Sequence, residues 1–91
     1  MLFSFICKDK PNALDIRKAT RSDHLAWLEK TDGVYIAGPL LSADGVPEGS
    51  LLVVEHADLQ VARDWAATDP YARASLFESV EIAAWTKVIG A

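Results

Sequence analysis

Apolar residues fill most positions from Leu2 to Cys7 and give way to the turn-prone run Asp9-Lys10-Pro11-Asn12, which predicts a first strand over Leu2 to Lys8. Its two faces, Leu2/Ser4/Ile6 and Phe3/Phe5/Cys7, are both mostly apolar, as in a central strand. A helical period follows to about Thr31, where Asp32-Gly33 stops it. Asn12 is placed to cap this helix, and Asp15 sits near the positive end of its dipole. The stripe Leu14, Arg21, Leu25, Leu28 is apolar mainly in its second half, and Ser22-Asp23 offers a fresh start, so continuity of the helix near Thr20 stays open.

Val34 to Leu41 reads as a second strand, and Pro39 inside it removes a ladder donor, which places it at a sheet edge or an irregularity. The turn-rich segment Ser42 to Gly49 then leads into a third strand, Ser50 to His56, forming a hairpin with a floppy tip. Asp58 is placed to cap a second helix with the face Leu59, Ala62, Trp65 and Ala66. That helix stops at Asp69-Pro70, because a residue before proline is pushed out of the helical region, and this corner leads into a fourth strand from Phe77 to Val88.

Residues 1–91 therefore predict one α+β domain with the order βαββαβ. With right-handed crossovers this is most simply a ferredoxin-like fold: a four-stranded antiparallel sheet of order 4-1-3-2 with two helices on one face. Strands 1 and 3 carry apolar residues on both faces (Phe3 and Phe5 against Leu2 and Ile6, Leu52 and Val54 against Leu51 and Val53), so the side without helices needs a cover. A second copy of the sheet, making a homodimer, is the expected one.

Composition narrows the partners. The chain is 51% apolar, ample for a core, with a net charge of −4 and nine thinly spread basic residues, which argues against nucleic acid and against a basic membrane-binding face. The apolar start lacks a basic leader and is far below spanning length, so the expectation is a soluble cytoplasmic protein with no membrane partner. Cys7 has no partner for an intramolecular disulfide, and Cys7, His24 and His56 lack metal-ligand spacing, so no metal site is expected.

The chemistry centres on His24 and Asp69. They are 45 positions apart, but antiparallel helices on one face bring the end of the second near the start of the first. A carboxylate on one imidazole nitrogen fixes the tautomer and raises the basicity of the other, making a general acid or base near neutral pH. The series Arg21-x-x-His24-Leu25-x-x-Leu28, Gly38-Pro39, Gly49-Ser50 and Asp69-Pro70-Tyr71, in this order and spacing over nearly the whole chain, resembles the YciI-like (YCII-related) family. The resemblance implies a dimeric α/β barrel of ferredoxin-like protomers with an active site on His24 and Asp69. It also implies Ser50 and Tyr71 beside the pocket and basic positions at Arg17 and Arg21. Ser75 in place of a turn glycine, Ala84 in place of a proline before Trp85, and a short 42–49 loop depart from the family pattern.

With no nucleophile, metal or nucleotide loop in view, and no cofactor expected, such a pair suits proton transfer on an activated small molecule, as in isomerisation or elimination on a ring. The alternatives are a non-catalytic dimeric module that binds a small metabolite, and a small assembly subunit without a pocket. If Arg17 or Arg21 faces the same cavity, the expected ligand is a small anionic or phenolic metabolite, with Tyr71 and Trp27 or Trp65 as apolar wall and Ser42 to Gly49 as a lid. In the competing arrangement the arginines pair with carboxylates such as Asp15 or Asp64.

Overall fold

The structure is a computed structural model and describes residues 1–90. Its elements are β1 (Leu2–Asp9), α1 (Leu14–Glu29), β2 (Val34–Leu41), β3 (Pro47–Glu55), α2 (Leu59–Ala66), α3 (Pro70–Arg73) and β4 (Phe77–Trp85). The strands form one antiparallel sheet in the order β2-β3-β1-β4, with the helices on one face: a ferredoxin-like α+β fold. Phe3, Phe5, Cys7, Leu52 and Val54 of the central strands, with Ala62 of α2, make the main buried core beneath Trp27, Leu28 and Trp65. On the other face Ile6 pairs with Leu51 and Ile36 with Val53, and both isoleucines are exposed.

Two tryptophans lock the helices together. Trp27 of α1 and Trp65 of α2 stack at 4.2 Å, with Phe5 edge-on to Trp65 at 5.1 Å. Trp65 Nε1 donates to Thr31 Oγ1 at 3.1 Å, and Trp27 Nε1 donates to Thr68 Oγ1 at 3.0 Å. The second bond fixes the residue next to Asp69 against α1, so the corner after α2 is held where His24 can meet it.

Helix α1 is continuous; Thr20 Oγ1 bonds back to the Ile16 carbonyl at 2.8 Å without breaking it. Its two buried residues are Arg17 and His24, so the weak apolar stripe has a physical cause: the inward face carries polar groups. Asn12 does not cap it. Asn12 adopts φ 57, the left-handed turn that asparagine tolerates, and Ala13 occupies the cap position with no side-chain bond. Asp58 does cap α2, its Oδ1 accepting from Val61 N at 2.9 Å.

Three further boundaries differ from the sequence pattern. Asp69-Pro70 opens a one-turn helix, α3, instead of leading directly toward the last strand, because aspartate at the cap and proline at the first helical position favour a new helical start. Strand β3 begins at Pro47, since Leu41 pairs with Pro47 and Leu40 with Gly49. The remaining hairpin tip is tight, not floppy: Ser42 N donates to the Val46 carbonyl at 2.8 Å and Val46 N to Ser42 Oγ at 3.1 Å, with Gly45 at φ 81. Finally, β4 stops at Trp85 because its partner β1 ends there, at the pair Leu2–Trp85.

Gly49 sets the spacing of the central strands. A Cβ at that position would lie 2.5 Å from the Cys7 carbonyl oxygen, so only glycine allows β3 and β1 to approach this closely just before Ser50.

At the other end of β3, half-buried His56 packs among Phe5, Trp65 and Phe3, and its Nε2 is buried without a hydrogen-bond partner. Burial lowers its pKa below the ordinary value of 6.5, against the opposing effect of Glu55 and with the N-terminal ammonium adding to it. The unfolded chain therefore takes up this proton more readily, so His56 makes stability fall as pH drops through about 6.5. His56→Leu is expected to show a smaller loss of melting temperature between pH 7.5 and pH 5.5 than the parent protein. An equal loss in both would remove His56 as the cause.

Candidate active site

Asp69 is 2% exposed, and its carboxylate is aimed by the backbone it caps. Oδ1 accepts from Tyr71 N at 2.9 Å and lies 2.8 Å from His24 Nδ1. With Nδ1–H donating to the carboxylate, the neutral imidazole presents Nε2 as its free acceptor. The His24 ring is 6% exposed and stacks on Tyr71 with centroids 4.0 Å apart and planes at 18°.

A second buried group adjoins the first. Arg17 donates from Nε to Asp9 Oδ2 at 2.7 Å and from Nη2 to Asp9 Oδ1 at 2.8 Å, a bidentate pair with both side chains 6% exposed. Nη2 also donates to Ser50 Oγ at 3.0 Å, and the guanidinium carbon lies 4.5 Å from the centre of the Tyr71 ring. Tyr71 is thus held between Arg17 and His24. Burial by itself would lower the Arg17 pKa, but the Asp9 carboxylate more than reverses this. Burial raises the Tyr71 phenol, partly offset by Arg17 and Arg21, so the hydroxyl stays protonated at neutral pH.

Both groups border a cavity of about 430 Å³ between α1, the hairpin and Tyr71. Of the residues singled out in the sequence, Arg17, Arg21, His24, Ser50 and Tyr71 line it, and Asp69 stands behind His24. The stripe Leu14, Arg21, Leu25, Leu28 also faces this space, which explains why Leu25 is 38% exposed. Gly45, Val46 and Pro47 close one side as a hydrogen-bonded turn and strand end rather than a loose lid. Trp27 and Trp65 are not in the wall; they belong to the helix clamp. Neither Asp15 nor Asp64 pairs with Arg17, whose partner is Asp9.

The ionisable groups lining the cavity are Arg17, Lys18, Arg21, His24 and Tyr71, with no carboxylate among them. A second depression of about 440 Å³ is lined by Lys8, Asp9, Lys10, Glu48 and Glu78 among others, a mixture of both charges. Cys7 is close by on β1, but burial, reinforced by Asp69, pushes its thiol up to about 12, so it is not a thiolate nucleophile at neutral pH. Among the described residues no three His, Cys, Asp or Glu side chains come together to hold a metal, and no helix is long and apolar enough to cross a membrane.

Asp9 is the residue that sequence reasoning missed, because Asp9-Lys10-Pro11 reads as turn chemistry. The available signal was parity: Asp9 continues the inward series Phe3, Phe5, Cys7, and an inward carboxylate needs a cation.

Fold and cavity together define a small ferredoxin-like protein with a buried His–Asp pair at a cationic pocket. The chain belongs to the YCII-related domain family, whose model matches residues 1–86. It is 33% identical to an uncharacterized protein of Haemophilus influenzae and 32% identical to the Escherichia coli protein YciI, in each case covering 97% of this chain and 99% of the relative. Among solved structures it resembles the 5-chloro-2-hydroxyhydroquinone dehydrochlorinase TftG of Burkholderia phenoliruptrix AC1100, in complex with 2,5-dihydroxybenzoquinone, with a TM-score of 0.89, 30% identity and 94% of both chains covered.

The Asp9–Arg17 pair generates a stability prediction. Asp9→Ala leaves a buried guanidinium unpaired and is expected to cost about 3–5 kcal/mol in urea unfolding, whereas Asp9→Ala with Arg17→Met should recover part of that loss. Equal losses in the single and double variants would contradict a closed buried pair.

Proposed function

We infer that this protein is a cofactor-independent enzyme that moves a proton on a small cyclic anion or phenol, with His24 as acid and base and Asp69 as its orienter. The observation that carries this is the His24–Asp69 bond at 2.8 Å behind a cavity whose charged lining is all basic. The reaction class is isomerisation or elimination, both of which turn on taking a proton from carbon beside an electron-withdrawing group. Lys18 and Arg21 sit at the cavity without a buried counter-ion and are suited to the substrate's negative charge; Leu14, Leu25 and Leu28 offer an apolar wall. Support comes from the dehydrochlorinase neighbour, since loss of HCl is such an elimination and its bound quinone is an acidic ring that the same pocket chemistry would accept.

A suitable probe is 5-oxocyclohex-2-ene-1-carboxylate, an anionic ring ketone whose double bond moves into conjugation when a proton leaves one ring carbon and returns to another. Isomerisation is expected to be followed by the rise of enone absorbance and to be inhibited by 2,5-dihydroxybenzoquinone. His24→Ala should lower the rate by roughly 10²–10⁴-fold. A His24→Ala protein as fast as the parent would eliminate His24 as the proton carrier. Binding of the quinone by the parent protein with no isomerisation would favour a ligand-binding module.

The uncovered sheet face supports a homodimer. Ile6, Ile36 and the half-buried Leu51 form an apolar surface on which no helix lies, and a second sheet is a cover of matching shape. Sedimentation at micromolar concentration is expected to give twice the mass of one chain, and Ile36→Lys to shift it toward the single chain. A parent protein that sediments as one chain would contradict the pairing.

A further inference from the structure

His56 follows the last residue of β3, and its backbone is pinned twice: N donates to the Met1 carbonyl at 2.9 Å, and its own carbonyl accepts from the N-terminal ammonium at 3.2 Å. The ring packs inward, with centroid distances of 5.0 Å to Trp65, 5.8 Å to Phe5 and 6.4 Å to Phe3. Nε2 lies buried there with no hydrogen-bond partner among the described residues. A neutral imidazole tolerates such a place as a flat packing ring. An imidazolium does not, because both of its nitrogens are donors and a buried N–H without an acceptor is costly. The charges acting on the ring are Glu55 from β3 and the N-terminal ammonium at the start of β1, which pair with each other; α2 meets it through the uncharged Trp65.

Trp65 joins this place to the candidate active site. It stacks on Trp27 at 4.2 Å, and Trp27 in turn lies 5.8 Å from the His24 ring, so an unbroken row of rings runs from one histidine to the other. The row is also bonded to the corner that carries Asp69. Thr68 Oγ1 accepts from Trp27 Nε1 at 3.0 Å and donates to the Trp65 carbonyl at 2.6 Å, while Asp69 N donates to the Ala66 carbonyl at 3.2 Å. The 2.8 Å contact between Asp69 and His24 therefore depends on Trp65 holding its place.

We propose that His56 is a proton-operated switch on this site: neutral, it wedges Trp65 into the tryptophan clamp that presents Asp69 to His24; protonated, it leaves the wedge, and Trp65 and the Asp69 corner loosen together. The two-state element is the end of α2 with its corner, either docked on α1 or loosened from it. Burial sets the direction, since it lowers the His56 pKa below 6.5 against the opposing effect of Glu55. The docked form thus holds the proton more weakly than the loosened form. The loosened fraction grows as pH falls through about 6.5, by at most about tenfold per pH unit. Loss of the His24–Asp69 contact is the structural outcome; its consequence, slower turnover, rests on the proposed proton-transfer function.

Hydrogen exchange of the two clamp indoles, Trp27 and Trp65, reads the switch in the full chain without any substrate. After correction for intrinsic rates, their protection is expected to fall roughly three- to tenfold from pH 6.5 to pH 5.5 in the parent and to stay level in His56→Leu. Should His56→Leu fail to fold, His56→Phe keeps a ring and equally removes the proton. The indoles should also exchange faster than the amides of Phe5 and Leu52 in the central strands, because the clamp opens ahead of global unfolding. In the same pH range the downfield NMR signal of the His24 Nδ1 proton should weaken in the parent alone. Protonation of His24 itself retains that proton, so its own titration cannot imitate the loss. The proposal is overturned if indole protection falls equally in parent and variant, if indoles and core amides are equally protected, or if the His24 signal persists unchanged. Turnover of 5-oxocyclohex-2-ene-1-carboxylate is read separately: kcat should drop more steeply below pH 6.5 in the parent than in His56→Leu. A parent whose clamp opens in acid but which isomerises nothing at any pH supports the switch and refutes the proton-transfer function.

Discussion

Placing ionisable groups under a helix is the constraint to which the rest of this structure answers. Arg17, His24, Asp9 and Asp69 are all withdrawn from water in a chain of 91 residues, where each unpaired buried charge would consume a large part of the folding free energy. They are tolerable only as pairs with further hydrogen bonds, and the fold supplies those: Tyr71 N and His24 Nδ1 to one Asp69 oxygen, and two parallel contacts from Arg17 to Asp9. Tyr71 stands between the two pairs and separates them with an aromatic ring instead of solvent.

The scaffold can hold these groups because its rigid parts lie elsewhere. The tryptophan stack and its two indole–threonine bonds tie α1 to the segment after α2, while Gly49 lets the two central strands close on each other next to Ser50. The site residues thus come from a helix, a helix cap, a strand and a strand end, each anchored by packing that involves none of the reacting atoms. Placement of this kind reduces the ordering that a ligand must impose when it arrives.

The four strands, the two long helices and the sheet order were readable from hydrophobic period, turn residues and crossover handedness together, while the one-turn α3 was not, because it is too short to show a period. Boundaries failed where a neighbouring strand decides them: β3 starts at Pro47 because Leu41 pairs with it, and β4 ends at Trp85 because its pairing with β1 ends at Leu2. Local preference also lost at Asn12, whose tolerance of a left-handed turn outweighed its capping ability. The most instructive failure is α1. A stripe rule expects apolar residues inward, and this helix buries Arg17 and His24 while aiming leucines into a cavity. His24 and Asp69 could be paired from topology and the family resemblance; Asp9 was signalled only by its place in the inward series of β1, which its turn-forming neighbours masked.

Two of the contacts at this site join distant parts of the chain, Arg17 and Ser50 by 33 positions and His24 and Asp69 by 45, while Arg17 and Asp9 are only 8 apart. Joining the two longer-range pairs closes large loops whose entropy is recovered only when the sheet and its helices are already assembled. No fragment or partly docked intermediate can therefore hold the complete constellation. Occupancy of the cavity reports on the fully assembled site, and any ligand that fits it will act as a selective stabiliser of the finished native state over every less complete form.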